Sequence, residues 1–227
     1  MLARVKLLIG EEKTEKIQNT SVVLFGLGGV GSYVAESLAR SGVGRLLLVD
    51  ADVVMTSNIN RQLPALHSTV GLRKTEVMQA RIADINPNCQ VEIISAFYRP
   101  GDFDRFVSEP VDYIVDAIDS VPSKVDLMIN AYRRGITIFS CMGTGNKLDP
   151  TKLTITDISK THTCPLAKKI RSQLKAAGIS KGIKVVFSSE MPQKANSADN
   201  TIASMTFVPA SAGLLLCSAV IKRIIED

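Results

Sequence analysis

The sequence predicts an α/β fold built on a doubly wound, mainly parallel sheet, extended by a C-terminal lobe with antiparallel strands. Three observations predict it. Short apolar runs alternate with helical patterns through residue 141, the spacing that joins parallel strands by helical crossovers. A glycine turn, "GLGGVG" at residues 26–31, separates the first apolar run from the first helical pattern. Beyond Cys141 the alternation gives way to loop signals and two further strand-like runs.

Strands are expected at residues 21–26, 45–50, 90–96, 113–117 and 137–141, with helices at 30–41, 72–86 and 124–134. Asn86-Pro87 stops the second helix, because the residue before a proline is pushed out of the helical region. Next, "GTGNKLDPTK" reads as a loop and "LTITDI" alternates like a strand. "PLAKKIRSQLKAAGI" has amphipathic helical spacing with Gly178 as its stop, and "IKVVFSS" is another strand. The polar stretch "SEMPQKANSADN" reads as a crossing loop, followed by a short strand and an apolar helix.

That apolar run, residues 207–221, falls short of a bilayer span. It is expected as a buried helix with Pro209 in its first turn, membrane attachment being the alternative; no stable membrane insertion is expected. No repeat or linker interrupts the chain, so residues 1–227 are expected as one domain, with a nucleotide-binding half (1–141) and a substrate-facing lobe (142–227) on a shared sheet.

Four well-separated cysteines (89, 141, 164 and 217) form no C-x-x-C pair, which argues against structural zinc and a disulfide framework. A reducing, cytoplasmic setting is the simplest expectation. The net charge of +5 is unevenly placed: residues 147–184 hold nine Lys/Arg against two Asp, a local +7, and the rest holds 18 basic and 20 acidic residues. Such a run is either a solvated face or a polyanion-binding surface.

Gly26, Gly28 and Gly31 match G-x-G-x-x-G, with Gly29 as a fourth glycine, and the fold is therefore expected to be Rossmann-like. The first glycine allows the tight turn, the next lets backbone approach a phosphate, and Gly31 permits close helix–strand packing. Asp50, 19 residues after Gly31, closes the next strand, where an acid accepts hydrogen bonds from ribose hydroxyls. The turn alone does not choose between NAD, FAD and ATP. The segment after Asp50 does: Asn58, Arg61 and Gln62 lie in "SNINRQ", and Lys74 opens a helix. Two cations suit a triphosphate better than the single diphosphate of a dinucleotide.

The ordered set "GLGGVGS", "LVDADVV", "SNINRQ", "VGLRK" and "DAIDS" resembles the adenylating domains of ubiquitin-activating-like enzymes, the ThiF/MoeB family. "LDPTKLTITDISKT" and "CPLAKKIR" resemble, more narrowly, the tRNA threonylcarbamoyladenosine dehydratases within it. The resemblance implies that Gly29 approaches the phosphates of ATP and Asp50 binds its ribose. Asn58, Arg61 and Lys74 would contact the triphosphate, with Asp52, Gln62 and Ser120 among the nucleotide contacts. Asp119 would hold Mg²⁺, the alternative being a helix N-cap. Arg4, six residues before Gly10, would reach a partner subunit's ATP across a homodimer, or else be a solvated terminal residue. Arg61, Lys74, Arg4 and Asp119 would carry the catalysis.

The implied reaction is ATP-dependent cyclising dehydration of threonylcarbamoyladenosine beside the anticodon of tRNA, with Arg133, Arg134 and the basic segment gripping RNA. The alternative is an adenylating activator of a ubiquitin-like or sulfur-carrier protein; a silent nucleotide-binding scaffold and an NAD oxidoreductase are further alternatives. Some relatives carry a sulfur-accepting cysteine before the last helix, where this chain has Ser204 and Met205, so a sulfur-transfer partner is doubtful. Cys141 and Cys164 are read as buried or capping thiols rather than reactive ones. His67 and His162 are read as structural or exposed rather than as general bases.

Overall fold

The computed structural model describes residues 1–194 and 202–226. Seven strands form one sheet: β1 (Ser21–Phe25), β2 (Arg45–Val49), β3 (Gln90–Ile94), β4 (Tyr113–Asp116), β5 (Thr137–Cys141), β6 (Leu153–Asp157) and β7 (Lys184–Ser188). Their order is β3-β2-β1-β4-β5-β7-β6. Every pairing is parallel except β6 with β7. The predicted sheet and its antiparallel extension are both present. The strand expected at 137–141 is observed with those bounds, and the other four expected in the first half end one or two residues early.

Helices α3 (Gly31–Ser41), α4 (Lys74–Ile85), α6 (Val121–Arg133), α7 (Pro165–Ala176) and α8 (Phe207–Glu226) match the predicted ones. Three helices were not expected: α1 (Ala3–Ile9), α2 (Glu11–Gln18) and the single turn α5 (Phe103–Phe106). Gly10, at φ +86°, joins α1 to α2. No residue of α1 is buried, so no apolar stripe marks it against the core.

The sheet is covered on both faces. Leu24, Leu46 and Leu48 point into one core with Leu38 of α3, Met78 of α4 and Leu216 of α8. Phe25, Ile114 and Val185 point into the other with Leu127 of α6, Ile170 of α7 and the ring cluster of Phe25, Tyr98 and Phe106. Each strand is thus apolar on both sides, as parallel strands between helix layers must be.

The α8 helix is long and apolar enough to cross a membrane by length and composition, yet half of it is buried within the fold. A Cβ on Gly213 would stand 2.5 Å from the Val30 carbonyl oxygen and 2.8 Å from Tyr33 Cβ, so glycine is what lets α8 lie against α3. The short strand expected before α8 is absent from residues 202–206; residues 195–201 lie outside the described residues. Instead of joining a ladder, Ala203 exchanges two hydrogen bonds with Asn146 (2.7 Å each), and the Ser204 carbonyl accepts one from Asn60 Nδ2 at 2.9 Å.

Candidate functional site

The carboxyl ends of β1, β2 and β4 meet at the point where strand order reverses, the crevice in which open α/β sheets bind ligands. The glycine turn is built for this place. Gly26 has φ +91°, and a Cβ there would meet the Ala117 carbonyl oxygen at 2.7 Å. A Cβ on Gly31 would lie 1.8 Å from the Gly26 carbonyl oxygen. Both glycines are therefore dictated by packing. Gly28 is not: the nearest atom to its hypothetical Cβ position is Gln62 Nε2 at 3.8 Å, so its lack of a side chain keeps space open above the turn. Gly29 is more closely held, its Cβ position lying 3.3 Å from Pro209 Cβ and 3.5 Å from Arg61 Cγ. The N-terminus of α3 receives no side-chain cap, which leaves N–H groups for an anion.

Asp50 ties this turn to the next strand. Its Oδ2 accepts from the Leu27 N–H at 2.6 Å and its Oδ1 from the Asp52 N–H at 2.8 Å. Burial raises its pKa, opposed by the charge of Lys74 and by those two N–H donors. Residues 51–74 then loop back on themselves through an isolated bridge between Val53 and Arg73. That closure places Lys74, at the start of α4, where its Nζ lies 2.7 Å from Asp52 Oδ2. Lys74 is 4% exposed, whereas the Asp52 side chain is half exposed. The expected phosphate ligand is thus held ready by a carboxylate.

Arg61 packs against the turn: its Cγ lies 3.5 Å from the Cβ position of Gly29, and its Nη1 donates to the Ser57 carbonyl and Asn60 Oδ1 at 2.9 Å each. Asn58 is buried, and its Oδ1 accepts from the Met55 N–H at 3.2 Å, shaping the short 3₁₀ turn Thr56–Asn58. Gln62 is 9% exposed, and its Oε1 is the one buried side-chain oxygen or nitrogen without a hydrogen-bond partner among the described residues.

Asp119 lies three residues beyond the end of β4. It is exposed, and its carboxylate has no partner among the described residues. Ser120, not Asp119, occupies the N-cap position of α6, so the capping alternative fails. Mg²⁺ is held by one or two carboxylates together with phosphates and waters, and an unpartnered acid beside the turn fits that requirement. No cluster of three or more potential metal ligands exists among the described residues.

The structure also holds a network with little trace in the sequence. Asp116, Lys124 and Ser140 come together with Asp116 and Lys124 0% exposed: Lys124 Nζ lies 2.6 Å from Asp116 Oδ2 and donates to Ser140 Oγ (3.2 Å) and the Cys141 carbonyl (3.0 Å). Asp116 Oδ1 accepts from the Ile118 N–H at 3.0 Å, which shapes the turn leading to Asp119. The only sequence signal is the spacing of acid and lysine in "DAIDSVPSK". Beside Asp50, a cleft of about 370 Å³ is lined by Ala51, Ser95, Ala96, Phe97, Arg99, Asp102 and Arg105. Phe97 is 64% exposed at its edge.

Other expected residues lie apart from this crevice. Arg4 is exposed on α1. His67 is exposed in a 3₁₀ turn, and His162 packs edge-on against Phe187 at 5.1 Å. All four cysteines are free and buried; burial pushes the thiols of Cys89 to about 11 and of Cys141 and Cys217 to about 12. Three cations of the expected RNA-gripping set also make contacts within the fold. Lys147 is 3% exposed and donates to the carbonyls of Gly143 and Ser188 (3.0 and 3.3 Å), and burial lowers its pKa. Arg171 donates to the Thr161 carbonyl and hydroxyl at 2.6 Å each. Arg134 pairs with Asp104 at 2.8 Å and lies over the Phe103 ring. Each has a folding task that composition could not reveal.

Fold and crevice together define an α/β protein of the nucleotide-binding type, with a glycine turn and an uncapped helix N-terminus where the strand order reverses. The ThiF family model matches residues 2–227, and the chain belongs to the ThiF family. It is 45% identical over 240 residues to the tRNA threonylcarbamoyladenosine dehydratase of Bacillus subtilis (strain 168), covering 99% of this chain and 94% of that one. It is similar also to crystal structures of the Escherichia coli tRNA N6-threonylcarbamoyladenosine dehydratase. The complex with ATP has a TM-score of 0.93 and 35% identity, covering 99% of this chain and 93% of that one. The complex with AMP has a TM-score of 0.94 and 36% identity, covering 98% and 93%.

Proposed function

We propose that the protein catalyses the ATP-dependent cyclising dehydration of N6-threonylcarbamoyladenosine beside the anticodon of tRNA. One observation carries this reading: the crevice assembles Asp50, Arg61, Lys74 and an unpartnered Asp119 around an uncapped helix N-terminus, in a chain similar along its length to an enzyme of that name crystallised with ATP.

A carboxylate oxygen is a poor leaving group. In the proposed reaction it attacks the α-phosphorus of ATP, breaking the bond to the β-phosphate oxygen and releasing pyrophosphate. The acyl carbon of the resulting adenylate is then attacked by a nitrogen of the substrate's own carbamoyl group. That nitrogen gives up its proton, AMP departs with the former carboxylate oxygen, and a five-membered ring closes. No nucleophilic side chain is required, which accords with four buried cysteines. The protein's work is positioning and charge neutralisation. Asp50 orients the ribose, Gly28 and Gly29 admit the phosphates, and Arg61 and Lys74 neutralise them. Asn58, Asp52, Gln62 and Ser120 complete the nucleotide contacts. Asp119 would hold Mg²⁺, which offsets phosphate charge when bound.

We propose in addition a homodimer that covers α1, where Leu7 and Leu8 are 80% and 83% exposed, and that carries Arg4 toward the partner's nucleotide. Residues 1–141 then serve the nucleotide and 142–227 face tRNA, and a reducing cytoplasm suits the free thiols. The test is incubation with ATP, Mg²⁺ and tRNA bearing threonylcarbamoyladenosine, followed by nucleoside mass spectrometry. Loss of one water is the expected outcome, and an unchanged nucleoside refutes the reading. Pyrophosphate exchange stimulated by a carrier protein ending in Gly-Gly, but not by tRNA, would favour the activator alternative.

A further inference from the structure

The exposed lysines of the basic run are divided by the fold between two ends of the sheet. Lys152 precedes β6, and Lys168 and Lys169 lie in the half of α7 that starts beside Gly143, past the carboxyl end of β5. Lys160, Lys175, Lys181 and Lys184 gather at the opposite end, where β7 begins and α6 and α7 finish. Three contacts define this corner. The Ile158 N–H donates to the Ile183 carbonyl at 2.9 Å. Asp157 pairs with Lys184 across the β6–β7 ladder. Tyr132 Cε2 stands 3.1 Å from the Cβ position of Gly182, which brings Tyr132 and exposed Arg133 beside Lys181. Arg133 and the four lysines make no ion pair among the described residues. Asp157, the nearby acid, accepts from Ser159 Oγ and from the N–H groups of Ser159 and Gly182.

We propose that this corner is a second RNA-binding surface, which grips the tRNA backbone outside the anticodon loop while the loop presents its modified nucleoside to the ATP crevice. The inference rests on the tRNA substrate proposed above. Five clustered cations opposed by one nearby acid, Asp157, keep an excess of positive charge, and an anionic partner relieves their mutual repulsion. A nucleic-acid backbone supplies closely spaced phosphates, and an exposed aromatic ring among cations adds a stacking surface. Tyr132, 45% exposed, is such a ring. Position decides which part of the tRNA is held. At about 3.3 Å per residue, a five-residue strand puts the corner about 17 Å below the crevice. Three strand spacings of about 4.8 Å, from β1 to β7, put it about 14 Å to the side. A contact so far from the reacting nucleoside is assigned to the part of the tRNA beyond the anticodon stem, outside the isolated stem-loop.

The experiment compares wild type with the triple variant Lys160→Glu, Lys181→Glu, Lys184→Glu in binding full-length tRNA and its isolated anticodon stem-loop. For full-length tRNA the expected result is roughly a tenfold or greater loss of affinity near physiological salt. The slope of log affinity against log salt should fall by about one for each phosphate contact removed. Stem-loop affinity should stay within about twofold. A Lys→Gln triple variant should show the same pattern more weakly, and melting curves check that both variants fold. Unchanged tRNA binding overturns the proposal, and so does equal loss on both RNAs. Retained tRNA binding with lost capture of an acidic protein would assign the corner to protein instead. The water-loss assay separates the two readings: if wild type converts tRNA while the variants bind it normally, only this surface is refuted.

Discussion

The Lys74 ammonium lies 2.7 Å from Asp52 Oδ2, and the Lys74 N–H also donates to the Asp52 carbonyl at 3.1 Å. The same short segment, Asp50-Ala51-Asp52, therefore places both the acid proposed to bind ribose and the carboxylate that holds the lysine proposed to bind phosphate. In that reading, ribose and phosphate recognition share one piece of backbone.

Lys74→Met should separate binding from folding. Asp52 keeps much of its hydration when left alone, so stability should change by less than about 1 kcal/mol. A lost charge-assisted contact to phosphate is worth roughly 1.5–3 kcal/mol, so ATP affinity by calorimetry should drop about 10- to 100-fold. A variant that binds ATP normally would remove Lys74 from the site.

Gly28→Ala and Gly31→Ala should fail differently. A methyl on Gly28 meets nothing nearer than 3.8 Å, so that variant should fold and melt close to wild type while losing ATP affinity. A methyl on Gly31 would sit 1.8 Å from a carbonyl oxygen, and backbone must move. Overpacking of this kind costs roughly 1–3 kcal/mol or more, so Gly31→Ala should show a lowered melting temperature before any ligand is added. Equal melting temperatures for the two variants would contradict the division between phosphate space and packing.

Period and punctuation made the sheet legible in sequence: five parallel strands and the antiparallel pair follow from two-sided apolar runs and their spacing. The glycine turn and the acid after the next strand were legible as a pattern, and the structure brings Gly26, Gly31 and Asp50 together, with Arg61 against the turn and Lys74 on Asp52. The Asp116–Lys124 pair was not. A lysine at a helical position reads as solvated until the fold shows that its neighbours are Asp116, Ser140 and the Cys141 carbonyl. The internal contacts of Lys147, Arg171 and Arg134 were hidden for the same reason, since charge counted along a chain does not say which cations the fold also uses internally. Helix α1 carried no pattern because its leucines point away from the core.

The thiols should be inert in the folded protein. Burial raises Cys89 to about 11 and Cys141 and Cys217 to about 12. A raised thiol pKa means the thiolate forms only as pH climbs toward that value. At pH 8, three units below the lowest of these, about one Cys89 in a thousand is ionised. Thiol-specific alkylation of native protein at pH 8 should therefore be slow, whereas all four cysteines should react in denaturant. Rapid labelling of one native cysteine would reopen a sulfur-transfer role.

The Lys124–Asp116 pair should dominate the stability of the loop that presents Asp119. Both groups are 0% exposed, and Asp116 Oδ2 accepts from Lys124 Nζ and Ser140 Oγ at 2.6 Å each. Removing one member of a buried pair strands the other's charge, at a cost of roughly 3–5 kcal/mol, whereas replacing both by apolar groups of similar volume is often neutral. Lys124→Met should thus shift the urea midpoint strongly downward at unchanged slope, and adding Asp116→Leu should recover most of the loss. The double variant should nevertheless remain impaired in ATP-dependent turnover. It loses the Asp116 Oδ1 contact to the Ile118 N–H that shapes the turn before Asp119. Full stability together with full activity in the double variant would show that the pair holds the core alone and leaves Asp119 to position itself.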